Sequence, residues 1–206
     1  MDGSAQSWQT AVAVIDDDEA ICDWMQRTLG VRGLRTRTYR SAEAFLGDPA
    51  GMAGCLLLDL QLPGLSGLDL LKRLQQQPSA PAVVIITAHG DVQSARAALK
   101  MGALDFIEKP VRMEELLAAI DEALSFEQKR RERRVARAQA EARVARLTER
   151  ERQVFFAVTE GLSHQETGER LGISPRTVEV HRARMMDRLG LKRVADAFRL
   201  RFALDA

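Results

Sequence analysis

Three short apolar runs, each rich in branched side chains and followed at once by polar residues, constrain the fold of this chain most strongly. They lie at 11–15 (AVAVI), 55–58 (CLLL) and 82–86 (AVVII). Continuous apolar runs of this length are typical of strands that are buried on both faces of a parallel sheet. Weaker strands are predicted at 34–39 and 104–107. The pattern predicts an α/β domain, doubly wound, with a five-stranded parallel sheet.

The helices predicted around these strands alternate with them along the chain. They lie at 19–29, 66–77 and 92–101, and an amphipathic helix at 113–124 would close the domain. We therefore expect the first domain to occupy residues 1–124.

The segment 125–147 contains neither Gly nor Pro and is dense in Arg, Ala, Glu and Gln, which are good helix formers. Apolar spacing in this segment is sparse, as at Val135, Ala138, Ala142 and Ala145. A solvated helical linker is therefore favoured over a stable coiled coil.

Helix capping signals are regular from residue 148 onward. Two S/T-x-x-E capping boxes and a serine before a first-turn proline mark three helix starts, and three glycines mark helix ends. The signals are Thr148 with Glu151, Ser163 with Glu166, Ser174 with Pro175, and Gly161, Gly172 and Gly190. They predict an all-α domain at 148–206 with helices at 149–160, 164–171, 175–189 and 194–204. The link 172–174 has the length found in a helix-turn-helix.

Charge is distributed unevenly along the chain, although the formal net charge is only +1. Residues 1–124 carry 11 basic and 17 acidic side chains, whereas 125–147 carry 8 and 3, and 148–206 carry 11 and 9. An acidic first part and a basic rear imply different partners for the two parts.

Two further features concern location and redox state. The chain has no apolar run approaching the ~18 residues of a membrane span and no basic-then-apolar leader, so we expect a cytoplasmic protein without a membrane partner. Cys22 and Cys55 lack a CxxC or Cys/His pattern, which predicts buried reduced thiols rather than a disulfide or a zinc site.

Acidic residues follow the predicted strands. Because the carboxyl ends of parallel strands meet at one edge of the sheet, these residues and two others should converge there. They are Asp16, Asp17 and Asp18 after the first strand, Asp59 after the third, Thr87 after the fourth and Lys109 beyond the fifth. Two like charges ~4 Å apart cost roughly 4 kcal/mol at an effective dielectric constant of 20. A hard divalent cation, Mg²⁺, would relieve this repulsion.

A carboxylate beside Mg²⁺, a hydroxyl and a lysine can accept a phosphoryl group. Asp59 is the predicted nucleophile because it ends the central apolar strand, whereas the pair Asp16 and Asp17 is better suited to holding the metal. The alternative interpretation is a set of unrelated helix caps and loop carboxylates.

The predicted helix at 175–189 has one buried and one open side. Val178, Met185 and Leu189 share the side expected to be buried, and His181 lies toward it, which favours a packed histidine over a base reader. The other side is predicted to enter the major groove. The residues expected there are Arg176, Glu179, Val180, Ala183 and Arg184, while Thr177, Arg182 and Arg188 are expected to hold phosphates.

Two motif sets resemble known families. The segments VIDDDE at 14–19, LLLDLQLPGLSG around Asp59, ITAHGD at 86–91 and DFIEKP at 105–110 resemble the receiver domain of response regulators, which has a CheY-like fold. The segment 148–191 is similar to the LuxR-type helix-turn-helix, and the pairing is most similar to the FixJ/NarL group.

The resemblance implies phosphorylation of Asp59 by a sensor histidine kinase, followed by homodimerisation and binding of double-stranded DNA. It implies Asp16, Asp17 and the Gln61 carbonyl as metal ligands beside Asp59, and Thr87 and Lys109 as phosphate ligands. It also implies a Lys109–Pro110 peptide that is often cis and an aromatic switch at Phe106. RNA polymerase is a further candidate partner. Such a protein catalyses only its own phosphorylation and dephosphorylation and is not otherwise an enzyme.

Three further hypotheses concern chemistry and partners. Gln61 and His89 lie where side chains tune acyl-phosphate hydrolysis in related receivers. A phosphatase of the haloacid dehalogenase type would need a D-x-D pattern, but Leu60 and Gln61 follow Asp59. An adaptor that binds RNA or protein through the second domain is the other alternative, which a binding assay with labelled duplex would distinguish.

Overall fold

Five parallel strands form one sheet in the computed structural model, which describes residues 11–48, 53–77, 79–88 and 92–205. The strands are β1 (Ala11–Ile15), β2 (Arg35–Tyr39), β3 (Cys55–Leu58), β4 (Ala82–Ala88) and β5 (Asp105–Lys109). Their order across the sheet is β2-β1-β3-β4-β5, and each neighbouring pair is parallel. The predicted doubly wound α/β domain is confirmed.

Helices cover both faces of this sheet. They are α1 (Glu19–Val31), α2 (Ala42–Leu46), α3 (Gly67–Leu74), α4 (Val92–Lys100) and the first part of α5 (Met113–Val144). Alternate strand residues point to opposite sides. Ile15 and Leu58 pack with Leu70 of α3 on one face, whereas Val14 and Leu57 pack with Met25 of α1 and Ile120 of α5 on the other. The five-residue helix α2 was not predicted, because it is too short to show a helical period.

The chain divides into two compact units, residues 1–129 and 130–206. This division falls inside α5, because the predicted helices at 113–124 and 125–147 are one element of 32 residues. The predicted domain boundary at 124 therefore lies inside α5, whereas the one at 147 lies in the link between α5 and α6. Across the part of the chain that the structure describes, no helix combines the length and apolar character needed to cross a membrane.

The second unit contains four further helices. They are α6 (Glu149–Thr159), α7 (His164–Leu171), α8 (Pro175–Arg188) and α9 (Val194–Asp205). Both predicted capping boxes are present, and Ser174 caps α8 as predicted by accepting the Thr177 N–H. Gly161, Gly172 and Gly190 have positive φ at the predicted helix ends. The capping signals in the sequence therefore gave the right helix starts.

The end of α5 is part of the core of the second unit. Ala140, Val144 and Leu147 are buried against Phe155 and Met185, among others. The interpretation of 125–147 as a solvated linker is wrong from residue 140 onward, where these three side chains are buried. Ala140 and Val144 are four positions apart, the spacing of a packed helix face, and Leu147 follows in the link to α6.

Candidate functional site

Three carboxylates meet at the carboxyl ends of β1 and β3. Oxygen atoms of Asp16, Asp17 and Asp59 all lie within 4.8 Å of one another. Asp16 and Asp59 are buried, with 2% and 5% of their surface exposed, whereas Asp17 is exposed. Asp18 has a different role, because its side chain caps α1 by accepting the Ala20 N–H. The predicted convergence is therefore present for three of the four acids.

Lys109 enters the same site from the end of β5. Its Nζ lies 2.7 Å from Asp16 Oδ2 and 2.6 Å from Asp59 Oδ2. Burial opposes charge on this amine, but the hydrogen bonds to both carboxylates raise its pKa above the ordinary value. Burial also raises the pKa of Asp16, although the hydrogen bond from Lys109 works against this. One ammonium thus compensates two buried acids.

The loop after β3 is folded tightly against Asp59. Gln61 donates its backbone N–H to Asp59 Oδ1 over 2.9 Å, which places this predicted metal-ligand residue beside the site. Gly67 was missed from sequence: a Cβ there would lie 2.2 Å from the Asp59 carbonyl oxygen and 2.8 Å from the Leu60 Cα. The available signal was the glycine itself, because glycine permits a close approach of the backbone that a side chain would block.

Thr87 and Phe106 lie on neighbouring strands with different environments. Thr87 is buried near the end of β4, whereas Phe106 on β5 is 39% exposed. Phe106 is paired with Ile85 in the β4–β5 register. The Lys109–Pro110 peptide is cis, as expected. His89 lies outside the described residues.

The donor set of this site fits a hard divalent cation. Its carboxylate oxygens are close together and partly open at Asp17, and Mg²⁺ prefers oxygen ligands of this kind. The residues that would hold it are Asp16, Asp17, Asp59 and the carbonyl of Gln61.

Helix α8 in the second unit has the two faces that were predicted. Val178, Met185 and Leu189 are buried, and His181 is half-buried. The opposite face is open to solvent. The predicted groove-facing residues are all exposed, namely Arg176, Glu179, Val180, Ala183 and Arg184.

Two of the three predicted phosphate-holding residues, Thr177 and Arg188, have partners within the protein. The Thr177 hydroxyl lies 2.8 Å from Ser174 Oγ at the start of α8. Arg188 Nε lies 3.3 Å from the buried Glu151 carboxylate, and its Nη1 donates to the Arg146 carbonyl. Arg182 lines an open cleft of about 430 Å³ between helices α6, α7, α8 and α9.

Among the groove-facing residues, Arg176 and Glu179 pair with each other. Their charged groups lie 2.7 Å apart. The Glu179 carboxylate would therefore have to leave this partner to accept a hydrogen bond from a cytosine.

Comparison with known families matches both units. Residues 12–121 match the response regulator receiver domain, and residues 145–200 match the bacterial regulatory proteins of the luxR family. The transcriptional regulatory protein FixJ of Azorhizobium caulinodans is 43% identical over 182 residues, covering 86% of this chain and 85% of that relative. FixJ of Bradyrhizobium diazoefficiens is 38% identical and covers 92% and 93%.

Solved structures show the same similarity. The response regulator StyR superposes with a TM-score of 0.77 at 34% identity, covering 93% of this chain and 98% of StyR. Full-length FixJ from B. japonicum has a TM-score of 0.57 at 37% identity, covering 95% and 97%.

Proposed function

We propose a function for this chain, which belongs to the response regulator family and has a receiver domain followed by a LuxR-type DNA-binding domain. In this proposal, phosphorylation of Asp59 controls how the transcription regulator associates with DNA. The observation that carries the proposal is the sharing of one Lys109 ammonium between Asp59 and Asp16. In this arrangement the proposed nucleophile Asp59, the second acid Asp16 and the ammonium of Lys109 lie together at the edge of the sheet.

Asp59 is the phosphoacceptor in this proposal. One carboxylate oxygen forms a bond to phosphorus while the bond between phosphorus and a histidine nitrogen of the kinase breaks, which leaves an acyl phosphate on Asp59. Mg²⁺ held by Asp16, Asp17, Asp59 and the Gln61 carbonyl would neutralise charge on the transferred group. Lys109 would also stabilise the oxygens of the transferred phosphoryl group. Its ammonium is close enough for this, because it lies 2.6 Å from Asp59 Oδ2.

The chain promotes only its own phosphorylation and dephosphorylation. A sensor histidine kinase supplies the phosphoryl group, and water removes it. We expect the Gln61 side chain to tune the rate of hydrolysis, because its backbone is held next to the Asp59 carboxylate.

Thr87 and Phe106 form the proposed switch. Thr87 binds the phosphoryl group, and the exposed Phe106 ring moves inward, which changes the surface of β5 and its neighbours. The 39% exposure of Phe106 supports this proposal, because a ring that starts in an exposed position can become more buried on phosphorylation.

The changed surface is proposed to pair two receiver domains. One α8 reads a short half-site, and two copies spaced by ~34 to 36 Å read a full operator. Pairing therefore raises the effective concentration of the DNA-binding domains. The partners are double-stranded DNA in the cytoplasm and RNA polymerase at the regulated promoter.

A DNA-binding titration tests this function directly. Wild type and Asp59→Asn are compared with and without Mg²⁺ and a small phosphodonor, and intact mass is measured on the same samples. We expect a phosphoryl adduct, a larger species in gel filtration and tighter DNA binding in wild type only. An adduct that also forms on Asp59→Asn, or a phosphorylated wild type that remains monomeric, would contradict the proposal.

A further inference from the structure

The carboxylate of Glu43 binds the loop that follows Asp59. Leu65 donates its backbone N–H to Glu43 Oε1 over 2.8 Å, between residues 22 positions apart. Glu43 lies on the short helix α2 and its side chain is exposed. Hydrogen bonds from its own backbone N–H and from the Leu65 N–H lower the pKa of Glu43. The contact therefore engages the ionised carboxylate.

Gly64 leaves the space that this carboxylate occupies. Its φ is +79°, and a Cβ at this position would lie 2.7 Å from Glu43 Oε1. A side chain at residue 64 would thus strain the backbone and also displace the carboxylate. The loop is built to receive Glu43.

Elsewhere in the loop, Leu62 and Leu65 pack against the core, and two further hydrogen bonds stay within the segment 59–67. Gln61 donates to the Asp59 carboxylate, and the Gly67 N–H donates to the Leu60 carbonyl over 3.2 Å. Of these backbone contacts, the one with Glu43 comes from a different element of the fold. Glu43 therefore ties the loop to α2, and α2 is anchored through Ala42 and Phe45 in the core.

This loop carries Gln61, whose carbonyl is a proposed metal ligand. We infer that Glu43 is a positioning residue for the Mg²⁺ site, which keeps the loop closed so that Gln61 stays beside the three carboxylates. The inference rests on the proposed function, because that function supplies the metal. Loss of Glu43 then lowers the affinity for Mg²⁺ although no ligand is removed.

Urea unfolding of the full-length protein at increasing MgCl₂ concentration measures this affinity. Both tryptophans, at positions 8 and 24, precede residue 130, so the second unit has no tryptophan, and the fluorescence of Trp24 on α1 follows the unit that contains the site. The stabilisation by Mg²⁺ gives its Kd by linkage. We expect Glu43→Ala to raise this Kd roughly tenfold, the lower end of the range for residues that orient metal ligands.

Two variants separate positioning from a general loss of stability. Glu43→Gln retains an oxygen acceptor for Leu65 and should raise the Kd less than Glu43→Ala does. Glu122→Ala removes an exposed carboxylate from α5 and should leave the Kd unchanged. Phosphorylation of Glu43→Ala by a small phosphodonor should be slow at low Mg²⁺ and return to the wild-type rate at saturating Mg²⁺.

Substitutions at two glycines provide a second test in which residue 43 remains a glutamate. This test can be used if Glu43→Ala does not fold. Gly64→Ala should raise the Kd for Mg²⁺ by displacing the carboxylate. Gly33→Ala is the matched control, because Gly33 has a similar φ of +75° but open space where its Cβ would lie. An equal rise in Kd for both alanine variants would overturn the inference.

The outcomes also distinguish this inference from the proposed function. A wild type that Mg²⁺ does not stabilise would contradict the function itself. A wild type that Mg²⁺ stabilises, together with an unchanged Kd in Glu43→Ala, would contradict only the positioning role.

Discussion

Lys109 Nζ lies 2.6 Å from Asp59 Oδ2, although the two residues are 50 positions apart in the chain. The strand order brings them together, since β4 alone separates β3 from β5 in the sheet. The ammonium occupies the region between the acids, where a divalent cation would also reduce their repulsion.

Substitution of Lys109 by Gln should destabilise the first unit in the absence of metal. It leaves two buried carboxylates without their cation, which should cost about 3 kcal/mol. Mg²⁺ should restore more stability to this variant than to wild type, because in the variant no ammonium reduces the repulsion between the two carboxylates. Urea unfolding followed by tryptophan fluorescence checks this, with the exposed Lys100→Gln as a control. An unchanged midpoint without Mg²⁺ would contradict the prediction.

Arg184→Ala and Arg188→Ala should have different effects, although both residues lie on α8. Arg184 faces outward, and its loss should weaken specific duplex binding by about 1–3 kcal/mol with little change in stability. Arg188 pairs with Glu151, so its loss should cost about 1 kcal/mol of stability. Fluorescence anisotropy with labelled duplex and hydrogen exchange of α6 and α8 separate the two effects.

Thr167→Val should stabilise the second unit by about 1 kcal/mol. Thr167 is fully buried, and within the described part of the chain its hydroxyl has no hydrogen-bond partner. Valine has nearly the same shape and removes the unsatisfied group. Thr167→Ser, which keeps the hydroxyl and loses the methyl group, should be less stable than wild type. Thermal unfolding of the three proteins provides the comparison, and a less stable valine variant would show that the hydroxyl is satisfied in solution.

Glu151→Gln should reduce the loss of stability in acid. Burial opposes charge on Glu151, but hydrogen bonds from Thr148 and the nearby Arg188 lower its pKa below the ordinary 4.5. The unfolded state therefore takes up the proton first as pH falls. The stabilisation is present above pH 4.5 and is lost as pH falls through the lowered pKa.

Hydrogen exchange of α6 at neutral and acidic pH measures this effect. The stability of wild type should fall more than that of Glu151→Gln over this range. Glu149→Gln, in the same helical turn but exposed, is the matched control. Identical acid dependence of wild type and Glu151→Gln would show that this carboxylate does not contribute.

A fragment that begins at residue 148 should be much less stable than one that begins at 130. The shorter fragment lacks Ala140, Val144 and Leu147, which are buried in the core of this unit. Loss of one Val and one Leu side chain alone should cost about 3 kcal/mol or more. Circular dichroism during urea unfolding tests this. Val135→Ala in the longer fragment is the control, because Val135 is 48% exposed.

Local features of the sequence determined much of this protein. The apolar runs predicted the buried strands, the S/T-x-x-E pairs predicted the starts of α6 and α7, and the helical period predicted which side of α8 is buried. These features depend on residues within a few positions of one another, so they can be recognised without the fold. The convergence of Asp16 and Asp59 was also predictable, because parallel strands end at one edge of a sheet.

The tertiary structure alone decided which partners these residues have. It brings Lys109 between two acids, brings Glu43 to the Leu65 N–H, and packs Val144 into the core of the second unit. Such contacts join residues that are distant in the chain, and many arrangements satisfy the same local pattern. Packing selects one arrangement because burial requires each charge and backbone N–H to find a partner in the space that the strands and helices leave.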